Sequence, residues 1–224
     1  MHIGLIGGIG PAATDFYYKS LISAFAHNKK ELQLTIVHAD APTLLANLTA
    51  GNATAQVAIY QRLTERLVAA GADCVVVTSI AGHFCIDAFE EISPLPVIDM
   101  LVAVKDAVKA RGQKRLGILG TRKVMESRFY GGLAPVEIVP PDPDQIDAVH
   151  DAYATMAAAG QVTDVQRSVF DRACTSLLEQ AGVDAVILGG TDLTLVYDEA
   201  TSDFPVLDCA AVHVGAIMAK ALER

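Results

Sequence analysis

The chain has 224 residues, 52% of them hydrophobic and 19% charged, with a formal net charge of −9. That apolar content can offset the conformational entropy of folding, so a disordered chain is excluded, and the length excludes a disulfide-stapled mini-domain. The isoelectric point of about 5.0 argues against a general nucleic-acid or anionic-membrane surface, and despite a mean hydropathy of +0.36 no apolar run is long enough to span a bilayer.

The N-terminus, MHIGLIGGIGP, carries no basic leader, so no signal peptide is expected and the predicted location is the cytoplasm. Its apolar run ends in Gly7-Gly8-Ile9-Gly10-Pro11, which reads as a buried strand, a glycine turn and the first turn of a helix over residues 12–26. Residues 34–38 form a second predicted strand. A helix follows over residues 53–70, with Val57, Tyr60, Leu63, Leu67 and Val68 as its predicted buried face and Gly71 as its stop. A third strand covers residues 74–78, with a turn from Ser79 to His83.

The second half repeats this order. A helix is predicted over residues 100–110, a strand over 116–120, a helix over 163–181 and a strand over 185–189. Val165, Val169, Ala173 and Leu177 are the predicted buried face of the 163–181 helix. Between them, Pro140-Pro-Asp-Pro-Asp144 reads as a connector or a mobile cover. The fold class is therefore α/β with mostly parallel sheets flanked by helices.

Three segments recur in order. Ile3-Gly-Leu-Ile-Gly7 resembles Leu116-Gly-Ile-Leu-Gly120, Ala70-Gly-Ala-Asp-Cys74 resembles Ala181-Gly-Val-Asp-Ala185, and Leu95-Pro-Val-Ile-Asp99 resembles Phe204-Pro-Val-Leu-Asp208. A period this long exceeds that of solenoid repeats and implies two similar lobes related by pseudo-twofold symmetry. Residues 1–98 with 209–224 are assigned to the first and residues 99–208 to the second. Ligands of open α/β sheets bind beyond the carboxyl ends of strands. A cleft between the lobes is expected there, with Ser79 and Gly190 at equivalent positions.

Gly7-Gly-Ile-Gly-Pro-Ala-Ala-Thr14 resembles the GGMGPEAT opening of the aspartate/glutamate racemase family. Val77-Thr-Ser-Ile-Ala-Gly-His83 lies where that family has PCNTAH, Gly120-Thr-Arg-Lys-Val-Met-Glu126 resembles its second-domain turn, and Leu188-Gly-Gly-Thr-Asp-Leu193 resembles its LGCTEI segment. The resemblance implies isomerase chemistry that needs no cofactor and no pyridoxal phosphate, a small amino or carboxylic acid as ligand, and a homodimer. Such chemistry removes an α-proton from one face of a carbon and returns one on the other, with two thiols as acid and base and several donors on the carboxylate.

At both thiol positions this chain departs from the family, with Ser79 at the first and Gly190 at the second. Cys74, Cys85, Cys174 and Cys209 stand elsewhere and form no CxxC pair, so they read as reduced, packed thiols. The candidate catalytic residues are therefore Ser79, His83 and Asp192. The candidate ligand-binding residues are Gly8, Ile9, Asp40, Ser79, Ile80, Ala81, Thr121, Gly190 and Thr191. Asp40 would orient an ammonium group or cap the following helix. Arg122 reads as a solvated surface residue, and no arginine precedes Arg62 after the second strand. No metal-ligand cluster, phosphate loop or dinucleotide fingerprint is present in the sequence. Three functions are compatible with these residues: an isomerase with altered or lost thiol chemistry, a carboxylate-binding protein without turnover, and a lyase or decarboxylase on the same scaffold.

Overall fold

A computed structural model describes residues 1–223 of the chain. Two compact units are present, one formed by Met1–Met100 with the chain from His213 onward, the other by Leu101–Val212.

In the first unit, β1 (His2–Gly7), α1 (Pro11–His27), β2 (Gln33–His38), α2 (Ala41–Ala50), α3 (Ala53–Ala69) and β3 (Cys74–Val77) follow one another. The sheet is parallel, in the order β2-β1-β3, with Ile3 opposite both Leu34 and Cys74. Five of the six β1 residues and all four of β3 are buried, as expected of parallel strands covered on both faces. A 3-10 turn, Ala81–Cys85, follows β3 and leads into the short α4 (Ile86–Glu90). Gly71, at φ +85°, closes the turn after α3.

The buried stripe of α3 consists of Gln56, Tyr60, Leu63, Thr64 and Leu67. Val68, predicted on that stripe, is exposed. It lies one residue beyond Leu67, about 100° around the helix, and points away from the sheet.

The second unit begins with α5 (Met100–Arg111), whose first residue belongs to the first unit. It continues through β4 (Arg115–Gly120), α6 (Arg122–Glu126), β5 (Glu137–Val139), α7 (Pro143–Ala159), α8 (Asp164–Thr175), β6 (Ala185–Gly189), β7 (Val206–Asp208) and α9 (Cys209–Leu222), the last returning to the first unit. Its sheet is also parallel, in the order β5-β4-β6-β7. The repeated segments therefore fall on equivalent strands, β1 with β4 and β3 with β6. The third repeat is a full strand in the second unit, β7 pairing with β6, but in the first only a single Val75–Val97 bridge.

Two local expectations need correction here. The predicted 163–181 helix is a regular α-helix only to Thr175 and continues as a wider π turn over Ser176–Gln180. Its buried face is Phe170, Ala173, Cys174 and Leu177, whereas Val165 is 77% exposed. The large Phe170 ring sets which side faces the sheet, and Val165 falls outside that side. Thr163 is the N-cap of α8, in a capping box with Gln166. The proline-rich stretch is a connector: Pro143 opens α7, where its missing N–H costs nothing.

Candidate functional site

In each unit the candidate residues gather at the carboxyl ends of adjacent strands. In the first, Gly8 follows β1, Asp40 follows β2 and Ser79 follows β3. The ends of β1 and β3 are tied together where the Thr78 N–H and hydroxyl both donate to the Ile6 carbonyl.

Gly8 sits at φ +92°, and a Cβ there would lie 2.2 Å from His38 Nδ1 and 2.8 Å from the Ala39 carbonyl. Only glycine fits a turn this tight. Its N–H donates to the Thr14 hydroxyl at 2.9 Å, so that donor is already used within the turn. The helix α1 that follows has no side-chain N-cap and no acidic residue in its first turn, leaving the positive end of its dipole uncompensated there. Ile9, the other turn residue expected to bind, is buried.

Asp40 has a defined structural role. Its carboxylate caps α2, accepting from the Thr43 N–H at 2.9 Å and the Thr43 hydroxyl at 2.5 Å. These hydrogen bonds hold its pKa below the usual 3.8. Asp40 also borders a cavity of about 200 Å³ with His38, Thr43, Arg62 and Arg66. The two arginines, four residues apart on α3, thus reach the carboxyl end of β2. Sequence order hid this, because both follow Asp40 by more than twenty residues.

Ser79 is nearly buried, and its hydroxyl makes no hydrogen bond to another of the described residues. Its carbonyl accepts from the Gly82 N–H at 3.1 Å and from His83 Nδ1 at 2.6 Å. The Met100 N–H donates to His83 Nε2 at 3.4 Å, which makes Nδ1 the protonated nitrogen. Both ring nitrogens of His83 are therefore engaged by the backbone. Burial drives its pKa below 6.5 against the pull of Asp99, 3.6 Å away, so the imidazole is neutral and the contact is not an ion pair. His213 lies beside it, accepting from the Tyr17 hydroxyl at 2.8 Å and donating to the Ile98 carbonyl at 2.7 Å. Burial lowers its pKa to about 3. The geometry makes His83 a positioning residue for the Ser79 turn. Ile80 and Ala81 are buried, Ile80 within the core.

In the second unit Thr121 follows β4 and caps α6, its hydroxyl oxygen accepting from the Val124 N–H at 3.4 Å. Its hydroxyl hydrogen remains a potential donor. Arg122 pairs with Glu126 and Asp147 at the surface. Gly190, Thr191 and Asp192 follow β6, the last two 2% exposed. Gly190 has φ −133° and ψ 120°, extended backbone open to any residue. What excludes a side chain is Tyr153 of α7: a Cβ on Gly190 would lie 2.2 Å from Tyr153 Cε2, 2.4 Å from Cζ and 2.8 Å from the hydroxyl oxygen. Tyr153 donates its hydroxyl to Asp192 Oδ2 at 3.2 Å. Burial, then the Asp192 charge, raises the phenol pKa well above 10, so it holds its proton. Sequence reading missed Tyr153 because nothing local marks it, 37 residues before the glycine whose place it fills.

All four cysteines are buried and reduced. Burial pushes the Cys85 and Cys174 thiols up to about 12, and raises Cys209 with the help of Asp208. These are packing thiols, far from the thiolate state that catalysis requires. No group of three or more His, Cys, Asp or Glu side chains suited to a metal ion occurs among the described residues. No described helix is long and apolar enough to cross a membrane.

The architecture is shared with solved racemase structures. A Yersinia pestis protein described as an Asp/Glu racemase superposes with a TM-score of 0.83 at 27% identity, over 99% of this chain and 100% of that one. An aspartate racemase homologue from Pyrococcus horikoshii OT3 superposes with a TM-score of 0.79 at 23% identity, over 100% and 99% of the two chains. Glutamate racemase from Sulfurihydrogenibium sp. (strain YO3AOP1) is 22% identical over 135 residues, 60% of this chain, and the match spans about half (51%) of that relative. The Asp/Glu/Hydantoin racemase model matches residues 6–217. The chain belongs to the Asp/Glu/Hydantoin racemase family.

Proposed function

We propose that this protein acts on a small amino or carboxylic acid at the carboxyl ends of its strands, by carbanion-type proton transfer that uses no thiol and no cofactor. The observation that carries this reading is the fate of the sulfur atoms. All four thiols are buried, while Ser79 presents a hydroxyl with no partner among the described residues and Gly190 is backed by a phenol. In the first unit, the N–H groups around Ile9 and Ile80 and the uncompensated N-terminus of α1 would hold the carboxylate. Arg62 and Arg66 would serve a second acidic group. A homodimer belongs to the same reading and is checked by light scattering.

The test is solvent deuterium uptake at the α-carbon of a panel of amino and hydroxy acids, followed by proton NMR. The reading expects exchange on at least one acid, unaffected by iodoacetamide. A folded protein that exchanges none of them would defeat it.

One observation favours a second reading. Both ring nitrogens of His83 are committed to the backbone, so the Ser79 strand end lacks a free imidazole base. Decarboxylation forms a carbanion without removing a proton and needs only a donor, and the buried Ile80 and Ala81 would favour loss of charge. Carbon dioxide release from substituted malonates distinguishes this reading from the first.

A further inference from the structure

We infer that Tyr153 takes the place of the side chain missing at Gly190 and is the proton donor of the second unit, with Asp192 as the partner that holds its hydroxyl between turnovers. This rests on the reading that an acid is bound and turned over at the carboxyl ends of the strands.

Three features of the structure converge on it. The first is position. The Tyr153 ring fills the volume that a Cβ on Gly190 would enter, and the hydroxyl oxygen lies 2.8 Å from that Cβ site. A functional group thus stands directly beyond the end of β6, though it arrives from α7 and not from residue 190. The second is the backbone. Gly190 is extended, so glycine is not demanded there by conformation, and only the presence of the ring explains it. The third is the partner. The hydroxyl hydrogen rests on the Asp192 carboxylate, itself buried, and a turn about the Cζ–O bond delivers it to the ligand's carbon. Desolvation and the neighbouring charge keep the phenol protonated, the state a donor requires.

The chemistry balances with solvent water and hydroxide as the only further reactants. Hydroxide from solvent takes the ligand's α-proton and becomes water, the C–H electron pair stays on carbon, and the carbanion then takes the Tyr153 proton. The O–H bond breaks, the carbon lone pair becomes the new C–H bond, and the O–H electron pair stays on the phenolate oxygen. Water then returns a proton to the phenolate, leaving hydroxide to bulk solvent. The Asp192 charge raises the energy of the phenolate, and so speeds its reprotonation by water and returns the donor to its working state.

Tyr153→Phe is the direct test, because it keeps the ring against Gly190 and removes only the hydroxyl. The assignment expects deuterium uptake on the active acids of the panel to fall at least 100-fold, in line with the loss of one general acid, with an unchanged circular dichroism spectrum. Asp192→Asn is the second arm. It removes the charge that raises the phenol pKa, so the basic limb of the exchange-rate profile is expected to move to lower pH. Exchange retained within threefold by Tyr153→Phe, or a pH profile unmoved in Asp192→Asn, would overturn the assignment and leave the proposed function standing. Wild-type protein that exchanges no acid of the panel would end both together.

Discussion

Gly190 offers the sharpest energetic test of the site. Its backbone accepts any residue, so the cost of a side chain there comes entirely from Tyr153. A methyl group 2.2–2.8 Å from two ring carbons and the hydroxyl oxygen of Tyr153 must displace the ring or shift α7. Overpacking of this kind costs roughly 1–3 kcal/mol, and three contacts this short place Gly190→Ala near the upper end. For a chain of this size about 3 kcal/mol corresponds to a fall in Tm of roughly 6–12 °C. In a Tyr153→Ala background the methyl group enters vacated space and the same substitution should cost under about 0.5 kcal/mol. The coupling energy, about 2–3 kcal/mol, is read from a double-mutant cycle by urea denaturation. Equal costs in the two backgrounds would refute the claim that Tyr153 is what keeps residue 190 a glycine. Gly190→Cys likewise needs a smaller residue in place of Tyr153.

Native protein should react with a thiol reagent at none of its four cysteines on the mixing timescale, and at all four in guanidinium; a fast-reacting native thiol would contradict their burial. Gly8→Ala combines a positive φ with contacts at 2.2 and 2.8 Å and should cost about 2–4 kcal/mol, read from urea midpoints. Buried neutral His213, its pKa lowered from 6.5 to about 3, binds fewer protons folded than unfolded, so its contribution to stability is lost as pH falls below about 6.5; His83 acts in the same direction. Asp208, raised from 3.8 to about 6 by burial, works oppositely: the stability it contributes is present at low pH and is lost as pH rises through that range. Between pH 4 and 6 His213 and Asp208 offset one another, and the lowered pKa of His83 leaves a net slope of stability rising with pH. Asp208→Asn keeps an oxygen for the Ala210 and Ala211 N–H groups, so it should steepen that slope and raise stability at pH 7 by up to about 3 kcal/mol; a variant less stable than wild type at pH 7 would refute the assignment. Arg62→Ala combined with Arg66→Ala should weaken calorimetric binding of dicarboxylic acids at least tenfold and spare monocarboxylic ones, if the cavity beside Asp40 holds the second acidic group.

Much of this protein is written locally. The apolar runs of β1, β3, β4 and β6, the glycines that end them and the prolines that open α1 and α7 depend on neighbours within a few residues, so chain order suffices to read them. The duplication and the family motifs are legible for the same reason. Helix faces were legible only approximately. Val68 and Val165 fit an apolar spacing, but the choice of buried side belongs to the bulkiest packed residues, Tyr60 and Phe170. The site depended most on tertiary structure. Asp40 had two chemically equal roles until Thr43 was seen to occupy its carboxylate. His83 reads as an acid-base candidate in the sequence, and only folding shows the Ser79 carbonyl and the Met100 N–H on its two nitrogens. Gly190 read as an empty position, and only folding brings a ring from α7 into that space and its hydroxyl onto Asp192. Which distant group fills a gap is fixed by the packing of whole helices on a sheet, and no short stretch of sequence carries that information.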